Sequence, residues 1–143
     1  MARLTRLRTF KERSQRGIAL LEAAIVFPLL ILLTFGLMEY GWLFLNCQHI
    51  TNAARQGART GIRPDATNAE VQAAVKSILN GVGIADGQYT VTLSPSNVAT
   101  PNPGDTLTVT VTVPYGNITL TGAPLIPVPG TLRSAITMAK EGP

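Results

Sequence analysis

One long apolar segment constrains this chain more than any other feature of its 143 residues. From Ile18 to Met38, a length of 21 residues, only Glu22 and Thr34 are polar. A helix needs about 20 apolar residues to cross the hydrocarbon core of a bilayer. The sequence therefore predicts a single membrane-spanning helix, with membrane lipid as its surroundings.

The charges around this segment predict its orientation. Six of the twelve lysines and arginines lie before it, within residues 1–16, and the next one is Arg55. Because basic flanks stay in the cytoplasm, residues 1–17 are predicted to be a basic cytoplasmic leader and the remainder to be exported. From Ile18 onward six basic residues face seven acidic ones, so no basic surface is left that would bind nucleic acid.

A cleavable secretory signal is the other interpretation of the same segment. Such a signal has an apolar region of about 7–15 residues, followed by a small-residue cleavage site. Here the apolar region is longer, and large residues dominate the stretch from Gly36 to Asn46. The helix is therefore expected to be retained in the membrane.

Glu22 is the residue that a simple anchor does not explain. A carboxylate inside a spanning helix costs about 2.5–3.5 kcal/mol of insertion free energy. Either Glu22 lies near the cytoplasmic interface, beside Arg16 or the lipid headgroups, or a positive charge from outside the helix pairs with it.

The helix is predicted to continue beyond the membrane. Apolar or small residues recur at close to a 3.6-residue period as far as Gly61, and Pro64 follows. One helix is therefore expected over residues 18–60, membrane-spanning in its first half. Packing on the protein's own sheet is favoured over a subunit contact for the stripe of small residues near its end (Ala54, Gly57, Ala58, Gly61).

Residues 61–143 are predicted to form a small extracytoplasmic α+β domain. Thr67 and Glu70 have the spacing of a capping box, which begins a second helix. Valine and leucine then alternate with threonine in two stretches joined by a loop, and a third such strand is expected from about Thr131 to Ala139. These strands are predicted to form a three-stranded antiparallel sheet, with a loop from Pro114 to Gly130 before the last strand.

The residue types that carry catalysis are scarce. His49 is the only histidine and Cys47 the only cysteine, so neither a metal site nor a Ser-His-Asp triad has enough members nearby. A phosphate-binding glycine loop is also absent from the sequence. We therefore predict no catalytic residues, no metal, no cofactor and no enzymatic activity.

The start of the apolar segment resembles a known processing site. Arg16-Gly17-Ile18-Ala19-Leu20-Leu21-Glu22 is similar to the site of type IV pilin-like precursors, in which a basic leader ends in Gly and the fifth residue after it is Glu. Extended through Ala23-Ala24-Ile25-Val26-Phe27-Pro28, it resembles the start of TadE-like proteins, pilin-like components of Tad (Flp) pilus assembly systems. Asn52-Ala53-Ala54-Arg55-Gln56-Gly57-Ala58-Arg59 resembles the Ala/Arg segment that this family carries after its membrane helix.

The resemblance implies a bacterial protein that crosses the cytoplasmic membrane once, with its N-terminus in the cytoplasm. A prepilin peptidase would cut between Gly17 and Ile18, although pilins more often have Phe where Ile18 stands. The carboxylate of Glu22 would then pair with the freed amine of an adjacent subunit, which would supply the partner that Glu22 lacks. The implied partners are the peptidase and other pilin-like or Tad assembly subunits.

The leading hypothesis is a pilin-like (pseudopilin) membrane protein in the assembly or structure of a Tad/Flp-type pilus, either at its base or within it. The alternative is an unprocessed bitopic membrane protein whose exported domain binds another envelope component. A tethered glycan-binding module is a third hypothesis, but Tyr89 and Tyr115 are the only aromatic residues beyond Phe44, too few for a stacking platform.

Overall fold

A computed structural model describes residues 2–122 and 126–142 of the chain, with the backbone alone for residues 2–16. The elements are α1 (Ala2–Gly61), α2 (Asn68–Gly81), β1 (Thr90–Ser94), β2 (Thr106–Pro114), a short 3-10 helix (Tyr115–Asn117) and β3 (Thr131–Ala139). The chain divides into two compact units, Met1–Met38 and Glu39–Pro143. The predicted α+β class and the three-stranded antiparallel sheet are confirmed.

Helix α1 begins earlier than the sequence predicts. It was expected from about Ile18, but it begins at Ala2 and continues through Gly17. Residues 2–16 contain neither proline nor glycine and are rich in arginine and leucine, which favour helix. The end at Gly61 agrees with the expected one.

The two irregular residues of the apolar segment are accommodated within α1. Pro28 lies inside the helix, where its missing N–H leaves the carbonyl of Ala24 without the usual bond. The hydroxyl of Thr34 donates to the carbonyl of Leu30 at 2.7 Å. The hydroxyl of Thr34 therefore has a hydrogen-bond partner within the helix.

Helix α2 begins at the predicted capping box. The Thr67 hydroxyl accepts from the backbone N–H of Glu70 at 3.3 Å, and the Thr67 N–H donates to the Glu70 carboxylate at 2.9 Å. Arg63 lies 3.5 Å from the same carboxylate. These contacts satisfy two of the unpaired donors at the helix start and set the turn between α1 and α2.

The core of Glu39–Pro143 lies between the helices and one face of the sheet. Strand β2 is central in the order β1-β2-β3, and its alternate side chains are buried (Leu107, Val109, Val111, Val113). Helix α2 adds Val71, Val75 and Leu79, and α1 adds Ile50 with three buried alanines (Ala53, Ala54, Ala58). The other face of the sheet is formed mostly by threonine and other small residues, together with Arg133.

The small residues of α1 pack on the protein's own sheet and on α2, as predicted. A Cβ atom added to Gly57 would lie 2.7 Å from Val75 Cγ2, and one added to Gly61 would lie 2.5 Å from Leu107 Cδ2. Glycine at these two positions lets the backbone of α1 approach the core side chains more closely than any other residue would allow.

The side chain of Lys140 binds the C-terminal end of α1. Its side chain is buried, and Nζ donates to the carbonyl oxygens of Val98 at 2.8 Å and Gly61 at 3.3 Å. The backbone N–H of Glu141 donates to Ile62 at 2.8 Å. A cation at a helix C-terminus is stabilised by the helix dipole and by the carbonyls that lack an intrahelical partner.

We predict that Gly57→Ala destabilises the protein although alanine is the better helix former. Helix propensity favours alanine by about 1 kcal/mol, but overpacking costs about 1–3 kcal/mol. Gly41→Ala is the matched control, since its Cβ would meet nothing within 4 Å. Denaturant unfolding in detergent should show a lower midpoint for Gly57→Ala and an equal or higher one for Gly41→Ala; equal gains in both would contradict the packing.

Candidate assembly site

The apolar segment presents its side chains outward around the whole helix. Every residue from Gly17 to Phe35 is exposed, including Leu20 at 74% and Phe27 at 64%. Within the described part of the chain, α1 is the one helix long and apolar enough to cross a membrane by length and composition. Such a surface is far larger than the apolar patches that soluble proteins expose.

Gly17, Ile18 and Glu22, the predicted site residues, lie together on α1. Nothing lies within 4 Å of a Cβ built on Gly17, and both Ile18 and Glu22 are exposed. Residues four apart in a helix are neighbours on one face, about one turn from each other. Ile18 and Glu22 therefore share a face, and Glu22 has no hydrogen bond or ion pair among the described residues.

A second acidic residue, Glu39, is buried in the C-terminal unit, with 2% of its surface exposed. The Tyr115 hydroxyl donates to one carboxylate oxygen at 2.7 Å, and the Thr121 hydroxyl donates to the other at 3.1 Å. Burial and the bond to the Glu39 carboxylate hold the pKa of Tyr115 well above its ordinary value of 10.0. Tyr115 therefore stays neutral and remains a hydrogen-bond donor to the buried charge.

Two aromatic residues beside Glu39 attach α1 to the segment that follows β2. Trp42 Nε1 donates to the carbonyl of Ile118 at 2.6 Å, and the Tyr40 hydroxyl donates to that of Pro127 at 3.0 Å. The sequence places these side chains where an aromatic belt would meet the membrane interface. In the structure their polar atoms bind the protein's own backbone. Of the predicted loop before β3, Pro124 and Leu125 lie outside the described residues.

Arg55 and Arg59 form an exposed basic pair on α1. Their neighbours Ala54 and Ala58, about 100° around the helix, are buried, and neither arginine has an ion pair within residues 17–122 and 126–142. The buried alanines account for the packing of this segment, so the two arginines are available to other molecules.

His49 and Cys47 are both half-buried on α1. Among the described residues no group of three or more His, Cys, Asp or Glu side chains is placed to hold a metal ion. Burial raises the pKa of the Cys47 thiol above its ordinary value.

The resemblance seen in the sequence agrees with a protein-family model. Residues 17–59 match the model of the TadE-like proteins. The TadE-like segment contains the apolar helix, Gly17, Glu22, Pro28 and the Arg55–Arg59 pair, and the match confirms the resemblance read from the sequence. No curated protein and no solved structure matches the chain. The match indicates a pilin-like protein related to the Tad pilus, membrane-associated through α1.

The cluster around Glu39 could not be read from the sequence. Glu39 stands where a charged membrane flank is expected, and Tyr115 is 76 residues away along the chain. The one local signal for Tyr115 is its position directly after β2, at the edge of the core.

We predict that Tyr115→Phe destabilises the protein by about 1–3 kcal/mol, because the buried Glu39 carboxylate loses a donor. Tyr40→Phe is the matched control, since Tyr40 is 50% exposed and water can take the place of its hydroxyl at the Pro127 carbonyl. Thermal unfolding of both variants in detergent checks this. An equal loss of thermal stability in both variants would show that the Glu39–Tyr115 bond stabilises the protein no more than the exposed Tyr40 bond does.

Proposed function

We propose that this protein is a pilin-like membrane subunit that acts in the assembly or structure of a Tad/Flp-type pilus after removal of its leader by a prepilin peptidase. The observation that carries the proposal is Glu22. It is an exposed carboxylate in an otherwise apolar helical surface, without a partner among the described residues, in the segment that matches the TadE-like family.

Removal of residues 1–17 changes the electrostatics around Glu22. It takes away six basic residues and one acidic residue, so the chain changes from a net charge of +4 to −1. It also creates an α-amine on Ile18, one helical turn from Glu22. Pairing between the Glu22 carboxylate of one subunit and the Ile18 amine of the next would offset the cost of placing both charges in hydrocarbon.

Pairing between chains also fixes their axial position. An apolar helix can slide along another at little cost, because lipid and side chains are equally apolar. A single buried ion pair has a strong distance dependence in a low-dielectric medium. One carboxylate and one amine per chain would therefore set the stagger between neighbouring helices.

An unprocessed bitopic protein remains the second candidate, and the continuity of α1 favours it. The helix runs through the Gly17–Ile18 bond without a break, whereas a protease needs an extended backbone at the bond that it cuts. Glycine inside a helix costs about 1 kcal/mol relative to alanine. Gly17 is thus a point at which α1 can unwind locally, and Gly17→Ala would oppose that unwinding.

We expect loss of residues 1–17 when the full chain is produced together with a prepilin peptidase, measured by intact mass of the membrane-extracted protein. Gly17→Ala should reduce the processed fraction, because it stiffens the helix and adds a methyl group at the cleaved bond. Gly41→Ala serves as the matched control and should be processed normally. An intact N-terminus in the parent chain would favour the bitopic alternative.

We expect Glu22→Gln to leave membrane insertion intact but to lower assembly with other pilus subunits by at least about tenfold, corresponding to a lost charge pair of about 1.4 kcal/mol or more. Thr34→Val, in the same apolar segment, is the control, since Thr34 bonds only to its own helix. Co-purification and sedimentation of sheared pili measure assembly. Unchanged assembly by Glu22→Gln would contradict subunit pairing.

A further inference from the structure

The outer edge of β3 presents unpaired backbone groups. Tyr115 N donates to Gly130 O at 2.9 Å and Lys140 N donates to Asp105 O at 2.8 Å, just beyond the two ends of the β2–β3 ladder. Because hydrogen-bonded and non-bonded pairs alternate in an antiparallel ladder, these two bonds fix which residues face outward. They are the odd-numbered residues of β3 (Thr131, Arg133, Ala135, Thr137, Ala139), and their backbone groups have no hydrogen bond within the described residues.

The same alternation identifies the outward groups of β1. Since Val111 and Val109 of β2 exchange bonds with β3, Thr112, Thr110 and Thr108 turn theirs toward β1. On β1 it is therefore Val91 and Leu93 whose N–H and C=O groups point away from the sheet. The sheet has two open edges, one on each side of β2.

The edge of β3 is long and regular. Strand β3 pairs with β2 over nine consecutive residues without a bulge, contains neither proline nor lysine, and carries one charged side chain, Arg133. Strand β1 offers a shorter edge of five residues, Thr90–Ser94. The inward side chains Ile136 and Met138 are only half-buried, unlike their β2 neighbours Val109 and Leu107. The edge of β3 thus leaves both backbone and apolar surface available to another strand.

The β1 edge borders a groove. The groove has a volume of about 480 Å³ and lies between α2 and the residues around β1. Two alanines of α2, Ala69 and Ala73, line it together with Gln72, Lys76, Tyr89 and Val91. Lys76 pairs with Asp86 at one end. An apolar side chain on an added strand would lie against Ala73 and Val91.

Strand direction selects the occupant. Helix α1 lies along β2 in the opposite direction, since Gly61 lies beside Leu107, Gly57 beside Val109, and Glu39 bonds to Tyr115 just after β2. Two β3 edges paired around a twofold axis would reverse residues 39–61 of α1 in one copy, so that the two Glu39 residues would lie at opposite ends of the joined sheets. Side-by-side pairing places both Glu39 residues, where the apolar segments attach, at the same end.

We propose that the β3 edge of one copy binds the β1 edge of a second copy of this chain, in parallel, so that the sheets join side by side. Strands β1 and β3 both run antiparallel to β2, so a sideways displacement keeps every α1 in the same direction. The contact is heterologous and leaves an open edge at each end, which suits an extending assembly rather than a closed dimer.

The register of this contact follows from the sheet itself. Thr92, Thr110 and Ala135 lie in one row across the three strands. Continuing the row places Ala135 beside Thr92 of the next copy. The Ala135 N–H then donates to the Val91 carbonyl, and its carbonyl accepts from the Leu93 N–H, as parallel pairing requires. In this register Ser134, on the inward side, lies beside Val91, which lines the groove, and Ile136 lies beside Leu93.

Disulfide cross-linking of the full membrane-embedded chain tests this contact, with Thr92→Cys and Ala135→Cys combined in a Cys47→Ala background. Within one chain these positions are two strand spacings apart, about 9–10 Å, which exceeds the roughly 7 Å limit for a disulfide. We expect oxidation to give a ladder of covalent dimers, trimers and larger species. Ser77→Cys with Ala135→Cys is the control pair, because Ser77 is exposed on α2 and belongs to neither edge strand.

The cross-linking pattern distinguishes the proposed contact from the alternatives. A ladder from the Thr92/Ala135 pair, but not from the Ser77/Ala135 pair, supports the contact. Dimers from Ala135→Cys alone would show twofold β3 pairing and overturn it, as would equal cross-linking by both pairs or by neither. Ala135→Pro in the native-cysteine chain removes an outward N–H without breaking the chain's own ladder, and it should abolish amine cross-linking between copies. None of these results depends on leader cleavage or on pairing through Glu22. Intact mass tests leader cleavage separately, and the pilus assembly measurements test pairing through Glu22.

Discussion

The apolar surface of residues 18–38 is the constraint on which everything else in this protein depends. Every residue from Ile18 to Phe35 is exposed, on all sides of α1. At about 25 cal/mol per Å² of apolar surface, exposure of this segment to water costs far more than a domain of this size can offset. Its length and composition fit a membrane span, and within such a span the Glu22 carboxylate would be costly without a partner.

The C-terminal unit uses the second half of α1 as part of its own core. Gly57 and Gly61 bring the helix onto β2, Lys140 caps its last carbonyls, and Glu39 anchors the segment after β2 through Tyr115. Both buried charges are thus matched to hydrogen-bonding groups, as buried charges must be. The second half of α1 is thus held near both ends of β2.

Lateral association through the sheet edges and pairing through Glu22 would act on different parts of the same molecule. The first joins C-terminal units through backbone groups of β1 and β3, and the second joins membrane helices through charge. Both keep the copies pointing in one direction, which is the condition for growth from a membrane.

The sequence by itself determined the elements, because each rests on a local signal: 21 apolar residues, the Thr67–Glu70 capping box, and threonine alternating with valine. It also determined Gly17, Ile18 and Glu22 as candidate residues, through a motif contained in seven consecutive positions. Only the tertiary structure showed the burial of Glu39 against Tyr115, the position of Lys140 at the end of α1, and the two open edges of the sheet. These depend on residues 76 or 79 positions apart, and on which backbone groups face outward, and no short-range pattern encodes such long-range relations.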